Sequence, residues 1–202
     1  MIPDRQMTQR LRLDPPVPED LDEVFAISGD PRTWAHIPGE RVTDPRQTEA
    51  SLETFGAGWR EHGLSHWVVR LGEAGAYPPL EPGQVLGTGG VHLLAAVAGT
   101  PVWNLGYRLD PACWGHGFAT ELARYAVERA HAARDSVPVI ARVLSTNPAS
   151  LKVAQKAGLQ LRWEGAPSPQ TAAAVGDRPA SRLILADREL DGDVLAWLVS
   201  RG

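Results

Sequence analysis

Asn104-Leu105-Gly106-Tyr107-Arg108-Leu109-Asp110-Pro111-Ala112-Cys113-Trp114-Gly115-His116-Gly117-Phe118-Ala119-Thr120-Glu121 reads as a strand that runs into a glycine turn and then into a helix. A turn of this kind leaves several backbone N–H groups unpaired at the positive end of the helix, and glycines let a phosphate approach the main chain closely. The stretch is suited to holding an anion. Glycines also close tight turns for structural reasons alone, so the surroundings of Gly115-His116-Gly117 decide its meaning. A dinucleotide fingerprint needs a further glycine where Thr120 stands and an acid at the end of the next strand, where Ala141 to Leu144 stand instead. A nucleotide-binding loop ending in Gly-Lys-Ser/Thr has no counterpart in the chain.

Working outward, Gly117 to Arg134 predicts a helix with Leu122, Tyr125, Ala126 and Ala130 on one face, and Val102 to Leu109 a strand before it. Upstream, Arg10 to Leu13 alternates polar and apolar and stops at Pro15-Pro16. Leu21, Val24, Phe25 and Ile27 then recur at helical spacing, and Gln47 to His62 reads as a second amphipathic helix. His66 to Leu71 and Gln84 to Leu94 predict paired strands around a Gly- and Pro-rich hairpin loop, Gly72 to Gly83. Downstream come a strand at Val137 to Leu144, a short helix at Pro148 to Ala157 stopped by Gly158, and a strand at Leu159 to Glu164. A Pro-, Ala- and Gly-rich loop over Gly165 to Arg178, a strand at Ser181 to Asp187 and a terminal helix through Leu195, Trp197 and Leu198 complete the chain. No repeat or linker interrupts it, so residues 1–202 are expected to form a single domain.

With 43% hydrophobic and 22% charged residues, the 202-residue chain has an ordinary globular composition. No stretch is long and apolar enough to cross a bilayer, and Met1-Ile2-Pro3-Asp4-Arg5 lacks the apolar run of a signal peptide, so a cytoplasmic location without membrane attachment is expected. The single cysteine, Cys113, can form no intrachain disulfide and no thiolate metal site by itself; no metal is implied. A formal charge of -4 offers no broad basic field, so nucleic acid is not an expected partner.

Gly106-Tyr107 before the turn, Trp114-Gly115-His116-Gly117-Phe118-Ala119-Thr120-Glu121 across it, Asn147-Pro148-Ala149-Ser150 and Lys156-Ala157-Gly158-Leu159 together resemble the GNAT superfamily of acyltransferases, most closely its ribosomal-protein N-terminal acetyltransferase-like branch. The resemblance spans about Arg10 to Glu189 and implies an α/β (α+β) GNAT fold. That means a mixed, mostly antiparallel sheet of six to seven strands, opened in a V between the fourth and fifth, with helices on both faces. It further implies acetyl-CoA as cofactor, its pyrophosphate wrapped by backbone N–H groups of Trp114, Gly115, His116, Gly117, Phe118 and Ala119, with Leu109 and Thr120 bordering the site. Asn147 would contact the pantetheine or amide region, and Ser150 would stand near the thioester sulfur, where a hydroxyl could protonate the leaving thiolate. A plain structural role fits the same residues: Asn147 as cap of the helix begun by Pro148, and Ser150 as a solvated first-turn residue.

The chain departs from the family pattern at Ala112, where an Arg or Gln contact is usual, and at Ala154, where many members carry a tyrosine acid. Asn104 stands where relatives often have a glutamate base, leaving His92 and His36 as candidate replacements. His116 is expected to face solvent beside the phosphates, Glu121 to brace the turn and Cys113 to be an inert thiol, although an acyl-enzyme route through it would be the sharper alternative. Trp34, Trp59, Trp67 and Trp103 fit either core packing or an aromatic acceptor pocket.

The implied reaction is transfer of acetyl from acetyl-CoA to a primary amine, a small molecule or a protein N-terminus, by direct attack, with an oxyanion held by an N–H of the Val102 to Leu109 strand. Two rivals stay open. One is an acyl-CoA-binding module without turnover, motivated by Ala112, Asn104 and Ala154; the other moves a longer acyl group such as succinyl, with Arg142 or Arg70 near its end. A homodimer through the terminal helix and Trp197 is a further expectation.

Overall fold

Leu11 and Leu13 are completely buried while Arg12 and Asp14 are only half-buried, so the period-two pattern of the first predicted strand is a real division between core and rim. The computed structural model describes residues 5–95 and 100–201. The expectation drawn from residues 1–4 lies outside them. In chain order the strands are Gln6–Met7 (β1), Leu11–Asp14 (β2), His66–Leu71 (β3), Val85–Leu94 (β4), Val102–Leu109 (β5), Val139–Leu144 (β6), Gln160–Gly165 (β7) and Arg182–Ala186 (β8). The helices are Leu21–Ser28 (α1), Pro45–His62 (α2), Phe118–Arg134 (α3), Pro148–Lys156 (α4), Pro169–Val175 (α5) and Gly192–Ser200 (α6). None is long and apolar enough to cross a membrane.

The strands form one eight-stranded sheet in the order β1-β2-β3-β4-β5-β6-β8-β7. This is the mixed, mostly antiparallel α+β sheet that was expected, with one strand more than the six to seven counted from sequence. The addition is β1, two residues paired with β2 through Gln6 and Met7, too short to carry a periodic signal. A second correction is α5: the segment read as loop is helical, because Ser168 accepts the Thr171 N–H as a cap, Pro169 pre-sets the first turn and three alanines follow.

Opposite faces of the sheet have different partners. Phe118, Leu122 and Ala126 of α3 pack with Trp67, Trp103, Ala141 and Val143 on one face. On the other, Val24, Ile27 and Leu52 of α1 and α2 pack with Val68 and Val85, and Val194 and Leu198 of α6 with Val102, Ile140 and Ile184. Every neighbouring pair is antiparallel except β5 and β6, which run parallel and pair only at Trp103 with Val139 and Asn104 with Ile140. Beyond Asn104 the two strands diverge. This is the V between the fourth and fifth predicted strands.

The segment of residues 31–40 roofs this opening. Thr146 donates its hydroxyl to the His36 carbonyl at 3.0 Å, and the Arg178 guanidinium donates to the Ala35 carbonyl at 2.8 Å. Helix α5 lies against the turn Pro38–Glu40, where a Cβ on Gly39 would stand 2.7 Å from the Ala174 Cα, closer than side chains come to backbone. Gly39→Val should therefore lift α5 from the roof, read as faster amide exchange over residues 169–178 and a lower thermal midpoint. Unchanged exchange there would show that the contact does not hold α5 in place.

Candidate active site

A cavity of about 950 Å³ occupies the gap where β5 and β6 part. Its walls include Ala141 and Val143, which pack toward α3 and α4, and Arg142, whose side chain points to the opposite face, so the opening passes through the sheet. The divided strands also expose main-chain donors. Trp103 N–H donates to the Pro138 carbonyl at 2.9 Å on the β6 side, the pairing of Asn104 with Ile140 takes up the Leu105 N–H, and the two-residue alternation of a strand aims the next such group, the Tyr107 N–H, the same way, into the gap.

On the α3 side the gap ends at the glycine turn. Gly115 and Gly117 hold φ of 84° and 81°, a conformation other residues rarely adopt, and this carries the chain around into α3. No acceptor among the described residues reaches the N–H groups of Gly115, His116, Gly117, Phe118 or Ala119, and the helix start has no side-chain cap. Unpaired donors at a helix N-terminus make an anion site. The turn is held rigidly from behind. Glu121 accepts from the Arg10 N–H at 2.8 Å, the Arg10 guanidinium at 2.6 Å and the Thr8 hydroxyl at 2.6 Å, while Arg10 also donates to the His116 carbonyl at 2.8 Å. Glu121 thus braces the turn as expected. The His116 ring packs beside Phe118 and Tyr77, on the Arg10 side, and is not part of the cavity wall.

Leu109, Trp114, Gly115, Gly117, Phe118, Ala119, Thr120, Asn147 and Ser150 all line the cavity. Asn147 caps α4, its side-chain oxygen accepting the Ser150 N–H at 3.1 Å, so its amide nitrogen remains free to face the gap. Ala154 is buried, and no tyrosine stands there. Instead Tyr107 of β5 lines the cavity together with Ser150, and burial, which outweighs the opposing effect of the Ser150 hydroxyl, raises its pKa above the ordinary range. Cys113 donates to the Asp110 carbonyl, and burial followed by the nearby Asp110 carboxylate pushes its thiol up to about 12, which suppresses the thiolate an acyl-enzyme route would require.

The other half of the cavity is strongly polar. Arg108 lies flat over the Trp34 ring, 3.3 Å from its centroid, and donates to the Thr33 carbonyl. His36 is pushed down to about 4 by burial and then by Arg108 and Arg178, so it is neutral at physiological pH. Arg142 donates to the Asn104 side chain at 3.3 Å. His92 stands opposite Asn104 in the sheet, but its ring nitrogen pairs with His66 at 3.3 Å and it is not part of the cavity wall. Arg70 is elsewhere, held by Asp14, Asp20 and Glu23, which removes it from any acyl pocket. Trp59, Trp67 and Trp103 fill the core at 2%, 0% and 0% exposure; of the four tryptophans proposed as a pocket lining, Trp34 alone lines the cavity.

Residues 10–160 match the sequence model of the acetyltransferase (GNAT) domain, three quarters of the chain. The chain belongs to the GNAT acetyltransferase family. Solved structures of similar fold include an acetyltransferase from Agrobacterium tumefaciens, with 20% identity and a TM-score of 0.68 over 93% of this chain and 95% of that one. A ribosomal-protein-S5-alanine acetyltransferase from Vibrio fischeri has 14% identity and a TM-score of 0.70 over 95% and 99%. RimL, a ribosomal L7/L12 α-N-protein acetyltransferase solved with coenzyme A, has 14% identity and a TM-score of 0.66 over 94% and 100%. At these identities the likeness speaks to the GNAT fold rather than to a substrate.

Reading the motifs of the GNAT family along the chain missed Tyr107, Glu40, Arg108, Arg178 and Arg182 as cavity-lining groups. Only the Asn104, Gly106, Arg108 alternation on β5 could have pointed to one of them; the others reach the site through tertiary packing. The buried histidines have a measurable consequence. His36, His66 and His92 are lowered from 6.5 to about 4, 3 and 4, chiefly by burial. The unfolded chain therefore binds protons that the folded one refuses, so their contribution to stability is complete above about pH 6.5 and is lost as pH falls toward 4. The thermal midpoint should drop through that window, and a His66→Gln, His92→Gln double variant should show a shallower drop. Parallel curves for the two proteins would mean that these histidines are not buried in the neutral form.

Proposed function

We propose that this single-domain chain transfers an acetyl group from acetyl-CoA to a primary amine by direct attack. The observation that carries the reading is the row of unpaired N–H groups from Gly115 to Ala119, opening onto a gap that passes through the sheet. The residues fit the cofactor: the row suits a pyrophosphate, Lys152 and Lys156 of α4 add positive charge to the cavity wall, and the parted strands leave backbone groups for an extended amide chain. Acetyl-CoA supplies the thioester carbonyl; the amine forms a C–N bond there, the C–S bond breaks, and the thiolate takes a proton.

The Tyr107 N–H, directed into the gap, is the donor able to stabilise a developing oxyanion. Tyr107 is the proton donor, positioned with Ser150, and its raised pKa keeps it protonated into the alkaline range. Glu40 and His36 in the other half of the cavity are the groups able to receive the ammonium proton, directly or through water. Tyr107 supplies what Ala154 lacks, which favours turnover over a module that only binds acyl-CoA. The acceptor is a small amine or a protein N-terminus.

Two measurements test the reading. Acetyl-CoA and free CoA, but not NAD+, should raise the thermal midpoint; a ligand at a hundredfold over its Kd adds about 2.7 kcal/mol, roughly 5–10 °C for a domain of this size. Gly117→Val, which forces a branched side chain into positive φ, should abolish the shift. No shift with either CoA species in the native protein sinks the proposal. Tyr107→Phe should lower kcat about ten- to hundredfold, with acetyl-CoA affinity little changed. Full activity in that variant would remove Tyr107 from the mechanism.

A further inference from the structure

The half of the cavity away from α3 carries an unusual charge arrangement. Elsewhere Arg10, Arg70, Arg162 and Arg188 each hold a carboxylate. Among the described residues, no carboxylate oxygen lies within salt-bridge distance of Arg108, Arg142, Arg178 or Arg182, all of which line the cavity. Its wall contains one acid, Glu40, which acts favourably on both Arg108 and Arg142 without pairing with either.

Arg142 is the open member. Its strand has the burial pattern of a central strand with a single exposed position, Arg142 itself, flanked by Ala141 and Val143 at 4% and 6% exposure. Side chains alternate between the two faces of a strand, so Arg142 projects from the face opposite Ala141 and Val143, and it lines the cavity there. Asn104 occupies its Nε and leaves both terminal nitrogens of the guanidinium without a partner among the described residues. Arg182, 3% exposed, is spent on the Val199 and Leu198 carbonyls at the end of α6, yet its Nε is buried with no acceptor. It lies near enough to Arg142 for the two charges to repel.

We propose that Arg142, reinforced by the charges of Arg182 and Arg108, forms a carboxylate subsite, and that the amine acceptor is an amino-acid-like molecule carrying that carboxylate. A guanidinium with two free parallel donors matches a carboxylate bidentately. The acceptor takes this subsite, rather than the acyl chain, because Arg142 points away from the α3 and α4 face where the glycine turn and Lys152 lie. Glu40 then faces the ammonium while Arg142 faces the carboxylate. The assignment rests on the acetyl-transfer reading.

The test uses the full chain and its Arg142→Met and Arg142→Lys variants. Calorimetry first measures acetyl-CoA and succinyl-CoA. CoA release from acetyl-CoA, and separately the thermal shift in the presence of free CoA, are then followed for a panel of α-amino acids, each against its decarboxylated amine, such as norleucine against pentylamine. The expected result is at least a thirtyfold preference in kcat/KM for the carboxylate member. Arg142→Met should reduce it at least tenfold, mainly through KM, with partial recovery in Arg142→Lys and the Kd for acetyl-CoA within twofold of the original. Equal use of both members, or a preference that survives Arg142→Met, overturns the proposal. Succinyl-CoA binding tenfold tighter than acetyl-CoA, with that advantage lost in Arg142→Met, also overturns it by giving the subsite to the acyl chain. Because the ternary thermal shift needs no turnover, it decides the question even if no amine is acetylated. Failure to bind acetyl-CoA at all would instead count against the acetyl-transfer reading.

Discussion

The parting of β5 and β6 after two paired residues is the constraint on which the rest of the site depends. Parallel strands that stayed hydrogen-bonded to their ends would bury the Tyr107 donor in a ladder, as the Leu105 N–H is, and leave no passage between the two faces of the sheet. Divergence leaves main-chain groups unsatisfied in a partly buried place, a cost that native proteins seldom carry without a ligand or water to meet it. The remainder of the sheet supports the gap from both sides: β5 stays registered with β4 over its whole length, from Val102 opposite Leu94 to Leu109 opposite Gly87, and β6 with β8 from Ile140 to Leu144. The opening is therefore a feature between two well-formed half-sheets rather than a frayed edge.

The same logic extends to the glycine turn. Its N–H groups can point outward only if the turn cannot collapse onto its own carbonyls, and the restraint comes from the start of the chain, through Arg10, Thr8 and Glu121. Glu121 sits in the first turn of α3, where a carboxylate is already favoured by the helix dipole, and it gathers three donors. Such charge-assisted bonds are strong because each is oriented and partly shielded from water. The side chain of Arg10 is used up by Glu121 and the His116 carbonyl on the rear of the turn, so the anion-facing side presents main chain alone.

Much of the fold was legible because it is written in short-range patterns. The burial of Leu11 and Leu13, the apolar face of α3 and the glycines at positive φ are each determined by neighbours a few residues away. The two errors of element assignment have local causes as well: β1 is shorter than any period, and in α5 Pro and Ala were weighed as loop formers although Pro at the first helical position and Ala in the next turn favour a helix. The candidate site divides along the same line. Asn147, Ser150 and the glycine turn, read from motifs along the chain, line the cavity together because each motif stays contiguous in the fold. His92 lies outside the cavity wall, and its strand position opposite Asn104 does not reveal that its ring would pair with His66. Tyr107 and Arg142 gain their meaning from partners on other strands and helices, across the gap, and no pattern along the chain encodes that distance.

The cationic half of the cavity shows how the fold tolerates a site that opposes its own stability. Burial lowers Arg108 to about 10 and lowers Arg142 as well, which leaves both charged at neutral pH. The repulsion is eased piecemeal: Arg108 spreads over the Trp34 ring, Arg182 donates to the negative end of α6, and Arg178 binds a roof carbonyl. Each device fixes one arginine in place without neutralising it. A second carboxylate beside Glu40 would have removed the repulsion more simply, and would also have filled the terminal donors of Arg142. The fold instead holds an unneutralised guanidinium at the edge of a passage through its sheet. That arrangement lowers the reorganisation needed to receive an anion, because the donors are already oriented and already deprived of partners.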